Sequence, residues 1–240
     1  MVLKRIALNA ILLLIFIVGC KEKSEKKTVI PNVQVSPVDS VAIKEALAKE
    51  KEADEIFLLD EENAIDFFFN YQKELDDNIK VKLTTSLGEF TVQLFDNVPY
   101  HKSNFVYLTK KGYFDNSQFH RVVKDFIIQG GNSDDKAIAE KRRKIGRYLL
   151  PPDTRKGYKH DRGIVSMPSS EIDNPHMLAS PYEFFIVVTK PGSYHLDGDY
   201  TPFGKVIDGM DVVDKINKVR VGKGDWPFKN VYILKAEVLE

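Results

Sequence analysis

Cysteine occurs once in the 240 residues, at Cys20, so no intrachain disulfide can form and stability rests on the core alone. Neither charge sign is in surplus. Lys+Arg and Asp+Glu number 35 each, which removes any global bias toward nucleic acid or acidic membranes. The histidines, His101, His120, His160, His176 and His195, form no H-x-x-x-H pair, which argues against a metal site. No nucleophile-elbow pattern and no internal repeat occurs. The apolar run at residues 10–18 is too short to be read as a spanning helix. What is present is 43% hydrophobic and 29% charged residues, the balance of a chain that folds as a globule. The length allows one sizeable domain with extensions, or at most two small domains.

The first twenty residues differ from the rest. "MVLKRIALNAILLLIFIVGC" has Lys4 and Arg5 ahead of its apolar stretch, the layout of a secretory signal. Ile17-Val18-Gly19 leads directly into Cys20, which resembles the lipobox of bacterial lipoproteins. That resemblance implies a lipidated Cys20 and an envelope protein tethered to a membrane without spanning it. Residues 21–37, charge-mixed and with two prolines in the stretch as a whole, read as a flexible tether.

A helical extension is expected over residues 38–78. Ser40 caps "VAIKEALAKEKEAD", whose apolar positions are sparse. A second helix follows in "LLDEENAIDFFFNYQKELDDN", with Asp60 as N-cap and Ile65, Phe68, Phe69 and Leu75 near helical spacing. Three consecutive phenylalanines are costly to expose, so this helix is expected to dock on the domain that follows. Over residues 79–240 the pattern changes. "VKLTTSLGEFTVQLF" alternates with period two around the turn "SLGE", which predicts a β-hairpin. Pro99 opens a helix through Phe105, Val106 and Leu108 that stops at Gly112, and "DGMDVVDKINKV" predicts another. "AIAEKRRKIGRYLL" also reads as helical and basic, and in a neutral chain it is a solvated face rather than a nucleic-acid site. Short apolar runs separated by turn residues complete a mostly β barrel or sandwich with helical caps.

One stretch carries chemistry. "FHRVVKDFIIQGG" places a permanent cation, Arg121, beside a very apolar run. Residues 122–128 read as one strand ending at the Gly130-Gly131 pair, with Arg121, Phe126 and Gln129 near one another along it. Together with "VPYHKSNFVYL", "KHDRGIVSM", "EFFI", "LDG" and "FGKVIDGMDVVDKI" in that order, the chain resembles the cyclophilin family of peptidyl-prolyl isomerases from about residue 79 onward.

The resemblance implies a closed eight-stranded β-barrel capped by two helices, and as substrate a peptide containing an Xaa-Pro bond. It implies that Arg121 is the catalytic cation, with Phe126 and Gln129 at its side. Phe126, Ile127, Phe185 and Leu196 would hold the proline ring, and Gln129 would hydrogen-bond the peptide backbone. Ser169 stands where the family usually has an asparagine whose main chain contacts the peptide. No cofactor or metal is required, and a monomer is expected. Other positions depart from the family. His195 replaces a tryptophan, Tyr200 a pocket histidine, Glu183 a glutamine and Ile127 a methionine. Glu183 puts an acid near the site, where it would either pair with Arg121 and mute it or favour basic flanking residues. The alternative function is a weakly active peptide-binding module or chaperone on the same fold.

Overall fold

In the computed structural model, residues 57–170 and 173–239 are described, all within the second of two units, Glu55–Glu240. The signal-like segment, the tether, Cys20 and the helix expected after Ser40 lie outside the described residues. The alternating stretch folds as a hairpin. β1 (Lys80–Thr85) and β2 (Gly88–Leu94) pair antiparallel, from Lys80 opposite Gln93 to Thr85 opposite Gly88. Val81, Leu83, Phe90, Val92 and Leu94 all point into the core. The Thr85 hydroxyl donates to the Gly88 carbonyl and accepts from the Leu87 N–H, closing the turn at "SLGE".

Seven further strands follow: β3 (Ser117–Gln118), β4 (Arg121–Val123), β5 (Ile127–Gly130), β6 (Ile164–Met167), β7 (Phe184–Val187), β8 (Thr201–Asp208) and β9 (Tyr232–Leu239). All nine form one sheet in the order β3-β9-β1-β2-β8-β6-β7-β5-β4, with every pairing antiparallel. The expectation of a closed eight-stranded barrel is corrected by this ladder. It is a curled half-barrel whose end strands, β3 and β4, do not pair with each other. Their backbone groups are committed elsewhere: β3 pairs with β9 and β4 with β5. Between them the Gln118 N–H donates to the Asn132 carbonyl and the Phe119 N–H to the Val231 carbonyl just ahead of β9, so no ladder forms from β3 to β4.

The described residues contain four α-helices, each in a stretch the sequence reads as helical: α1 (Ala64–Tyr71), α2 (Pro99–Lys110), α3 (Lys136–Ile145) and α4 (Met210–Asn217). The expected caps are α2, which packs on β8 and β9, and α4, which packs on β2 and β5. The other two are α1, which lies against α2, and the basic α3. The Asp135 carboxylate caps α3 by accepting from the Ala137 N–H.

In α1 the Asp60 carboxylate accepts from the N–H groups of Glu62 and Asn63, in the turn that leads into the helix. Phe68 is fully buried and Phe67 half-buried, while Phe69 and Ile65 stay exposed. So the docking face is narrower than the apolar spacing suggested. The segment before α1 is stitched to the end of α3. The Leu59 N–H donates to Ile145 and its carbonyl accepts from Arg147. Gly146 sits between them at φ 135, where an added Cβ would lie 1.9 Å from the Leu59 oxygen, so only glycine fits.

Candidate active site

The stretch read as one strand over 122–128 is two strands joined by a tight turn. β4 and β5 pair antiparallel, with Arg121 opposite Gln129 and Val123 opposite Ile127. The break falls at Lys124-Asp125, where Asp125 takes φ 57, a left-handed conformation that aspartate tolerates better than most residues. Asn217 of α4 locks the turn. Its side-chain oxygen accepts from the Asp125 N–H at 2.8 Å and its amide donates to the Val123 carbonyl at 2.8 Å. The apolar run "VV…FII" hid this turn in the sequence. Its consequence is that Arg121 and Gln129 face each other across a ladder.

The next strand extends that rung, because Gln129 stands opposite Phe185 of β7. Side chains one strand apart in a rung have Cβ atoms about 5 Å apart. Arg121, Gln129 and Phe185 therefore form a row on one face of the sheet. On that face Ile127, Phe185 and Val187 make a small apolar cluster separate from the main core. Val123, Phe126, Leu196 and Tyr200 pack against it. The Phe126 and His195 rings stack at 5.4 Å, and Tyr200 meets Phe185 edge-on at 5.6 Å. Phe126, Ile127, Phe185, His195, Leu196 and Tyr200 are thus assembled into one apolar wall beside the Arg121–Gln129 pair. Ser169 is not part of it. Its hydroxyl accepts from Asn174, and the residue bridges to Ala179.

Glu183 is placed differently from either expectation. Its carboxylate, largely buried, accepts from Gln129 Nε2 at 2.8 Å and Asn132 Nδ2 at 2.9 Å, with His120 Nε2 at 3.4 Å. Burial pushes the carboxyl up, but the hydrogen bonds from His120 and Gln129 and the nearby Arg142 charge outweigh it, so it lies below the usual glutamate value. Glu183 does not pair with Arg121. The acid beside Arg121 is Asp225, at 3.6 Å from the guanidinium, with both side chains about two-fifths exposed. Asp225 takes φ 62 in a short turn, Lys223–Asp225, next to Trp226, whose ring lies 5.9 Å from His120. The sequence offered only the lone tryptophan in "GKGDWPF", with no motif to connect it to Arg121.

A second group was also passed over. His160 is fully buried, with Nδ1 at 2.8 Å from the Asp197 carboxylate and Nε2 at 3.0 Å from the Ser166 hydroxyl. Burial lowers its pKa against the opposing pull of Asp197. The neutral ring then donates from Nδ1 and accepts at Nε2. Ser166 is itself fully buried, so this Ser-His-Asp arrangement offers no exposed nucleophile. It braces the pocket instead. The His160 ring lies parallel to Phe185 at 6.0 Å, and Asp197 adjoins Leu196.

Such a site offers a cation, a side-chain amide anchored by Glu183 and an apolar wall. It can hold a small ring and polarise an adjacent amide. The family model "Cyclophilin type peptidyl-prolyl cis-trans isomerase/CLD" matches residues 80–238. The chain is 36% identical over 163 residues to the peptidyl-prolyl cis-trans isomerase CYP18-2 of Arabidopsis thaliana, a match covering 67% of this chain and 94% of the relative. It is 37% identical over 158 residues to the isomerase cypE of Dictyostelium discoideum, covering 65% and 95%. Among solved structures, a cyclophilin type isomerase of Cryptosporidium parvum superposes with a TM-score of 0.57 at 28% identity, covering 68% of this chain and 98% of that one. The same protein, crystallised in the presence of the dipeptide Ala-Pro, gives 0.56 at 29% identity, covering 67% and 99%. On the family match, these relatives and the assembled site, the chain belongs to the cyclophilin-type peptidyl-prolyl cis-trans isomerases.

Proposed function

We propose that the chain accelerates rotation about Xaa-Pro bonds in exported proteins, and that lipid on Cys20 holds it at a bacterial cell envelope. The observation that carries the first half is the rung Arg121–Gln129–Phe185, which sets a cation beside an outward apolar cluster. Amide rotation meets a barrier of about 18–20 kcal/mol because the nitrogen lone pair is delocalised. In the twisted state the prolyl nitrogen becomes pyramidal and basic. A guanidinium near that nitrogen stabilises the twisted state more than the planar one. The wall of Phe126, Ile127, Phe185, Leu196 and Tyr200 grips the proline ring and keeps water from weakening the cation's field. Gln129, anchored through Nε2 on Glu183, keeps its side-chain oxygen as an acceptor for a peptide N–H. No bond breaks, so no nucleophile enters the mechanism.

The second half rests on "LKRIALNAILLLIFIVGC", and on Cys20 being the sole cysteine. A second reading, a tethered peptide-binding module with little turnover, draws on Asp225, which stands within reach of Arg121 and drains part of its field.

Refolding of a substrate limited by a proline isomerisation tests the activity. The uncatalysed step takes tens to hundreds of seconds. The full chain at substoichiometric amounts is expected to shorten it, whereas a binding module would leave the rate unchanged or slow it. Cys20→Ala tests the anchor. Fatty-acid label is expected to enter the parent chain and not that variant, and a parent chain without label would end the lipoprotein proposal.

A further inference from the structure

Beside the proline-binding wall lies a cleft of about 710 Å³ between the segment before α1, the helix α3 and the residues leading into β7. Its floor is apolar, with Leu59, Ile138, Tyr148 and Tyr182 among its walls. Three arginines line it, Arg142, Arg143 and Arg147, against one acid, Asp60. Asp60 is already committed to the N–H groups of Glu62 and Asn63. The arginines differ in how far they are used. Arg142 donates to the Tyr113 hydroxyl and to Asn132 and lies over the Tyr182 ring, so it is structural. Arg143 is exposed and meets only its helix neighbour Glu140. Arg147 is exposed and has no ion-pair partner among the described residues.

The cleft is linked to the Arg121–Gln129 rung by hydrogen bonds. Asn132 lines it, and the same Asn132 donates to Glu183, which in turn accepts from Gln129, the rung partner of Arg121. Tyr182 on the cleft wall is the residue before Glu183. A peptide held at the proline wall and continuing past Gln129 on the Asn132 side would meet the arginines. Glu183 is largely buried and held by Gln129 and Asn132 with His120 beside it, so it is turned toward these neighbours rather than toward a basic flank. Leu59 and Asp60, which close the cleft on one side, precede the residues that the family model matches.

We propose that this cleft is a specificity subsite that receives an acidic stretch of the client chain flanking its Xaa-Pro bond. The proposal rests on the isomerase reading for its geometry. It assigns Arg143 and Arg147 as the residues that select acid over base, with the apolar floor taking side chains between the acidic ones. Exposed pairs of this kind are modest and screened by salt, so the preference is expected at about threefold per engaged arginine at low ionic strength and less at high.

The test uses the full chain and three Xaa-Pro peptides that differ only in flanks of glutamate, serine or lysine placed three to five residues from the proline, on either side. Exchange spectroscopy gives turnover, and titration of the same peptides gives dissociation constants. Glutamate flanks on one side are expected to raise kcat/KM and tighten binding over serine, with lysine weakest. The double variant Arg143→Glu, Arg147→Glu is expected to reverse that order while leaving the serine peptide unchanged. Equal handling of the glutamate and lysine peptides by the unmodified chain, or a glutamate preference that survives the double variant, would overturn the proposal. Absence of turnover on all three peptides would overturn the isomerase reading instead, and the flank preference is then decided by the dissociation constants alone.

Discussion

A guanidinium is a permanent cation, so the field of Arg121 is decided by which acids stand near it. The structure sets that by giving Glu183 other partners and leaving Asp225 as the nearby acid. A reading of "YEFF" alone puts an acid near the cation and stops there, because whether a carboxylate reaches a guanidinium depends on which rung each occupies. Another buried residue makes a measurable statement about stability. His101 is fully buried, neither ring nitrogen has a hydrogen-bond partner, and burial drives its pKa down from 6.5 to about 3. Below pH 6.5 the unfolded chain takes up a proton that the folded chain refuses until about pH 3. Stability therefore falls as pH drops through that window and the loss levels off below it. At pH 4.5 the loss is about 2–3 kcal/mol from this group. In urea unfolding at pH 7 and 4.5, His101→Leu is expected to lose less stability than the parent by that amount. Identical pH dependence in the two proteins would show that the ring is protonated in the fold.

Elements built on clean periodicity were legible in the sequence. The β1–β2 hairpin followed from alternation, and α2, α3 and α4 from helical spacing and their Pro, Asp and Gly punctuation. The β4–β5 hairpin was not legible, because valines, isoleucines and a phenylalanine run through both strands. The turn depends on Asn217, far away in α4, to hold Asp125 at positive φ. Helix α1 shows the same limit. Phe67, Phe68 and Phe69 are equal in hydrophobicity, yet only tertiary packing decides their burial. Phe68 is fully enclosed, with the Tyr107 ring at 5.9 Å and the Tyr148 ring at 5.6 Å, while Phe69 is 46% exposed under Lys73. Phe68→Ala is expected to cost about 3–5 kcal/mol in chemical denaturation. Phe69→Ala is expected to change stability by no more than about 0.5 kcal/mol. Similar losses from both would mean that α1 presents a different face to α2.

Across the whole molecule, one sheet does two jobs. Its inner face is filled by Phe90, Phe105, Phe119, Phe184 and Phe203, which hold the curl. Its outer face at β5 and β7 carries the small second cluster, the wall proposed to hold the proline ring. The arginine, the apolar wall and Gln129 were legible because they sit in short local motifs. The pairing of β3 with distant β9 rather than β4, the approach of Asp225 to Arg121 and the arginine-lined cleft were not, because each brings together segments distant in sequence. The central claim is that Arg121 lowers the rotational barrier while the apolar wall supplies binding. Exchange spectroscopy on an Xaa-Pro peptide measures both quantities for the parent and for Arg121→Ala. The account predicts a fall in kcat/KM of about 100-fold, the scale of removing one electrostatic donor, with peptide affinity reduced by less than about fivefold. Turnover that survives the substitution, or a loss carried entirely by affinity, would contradict it.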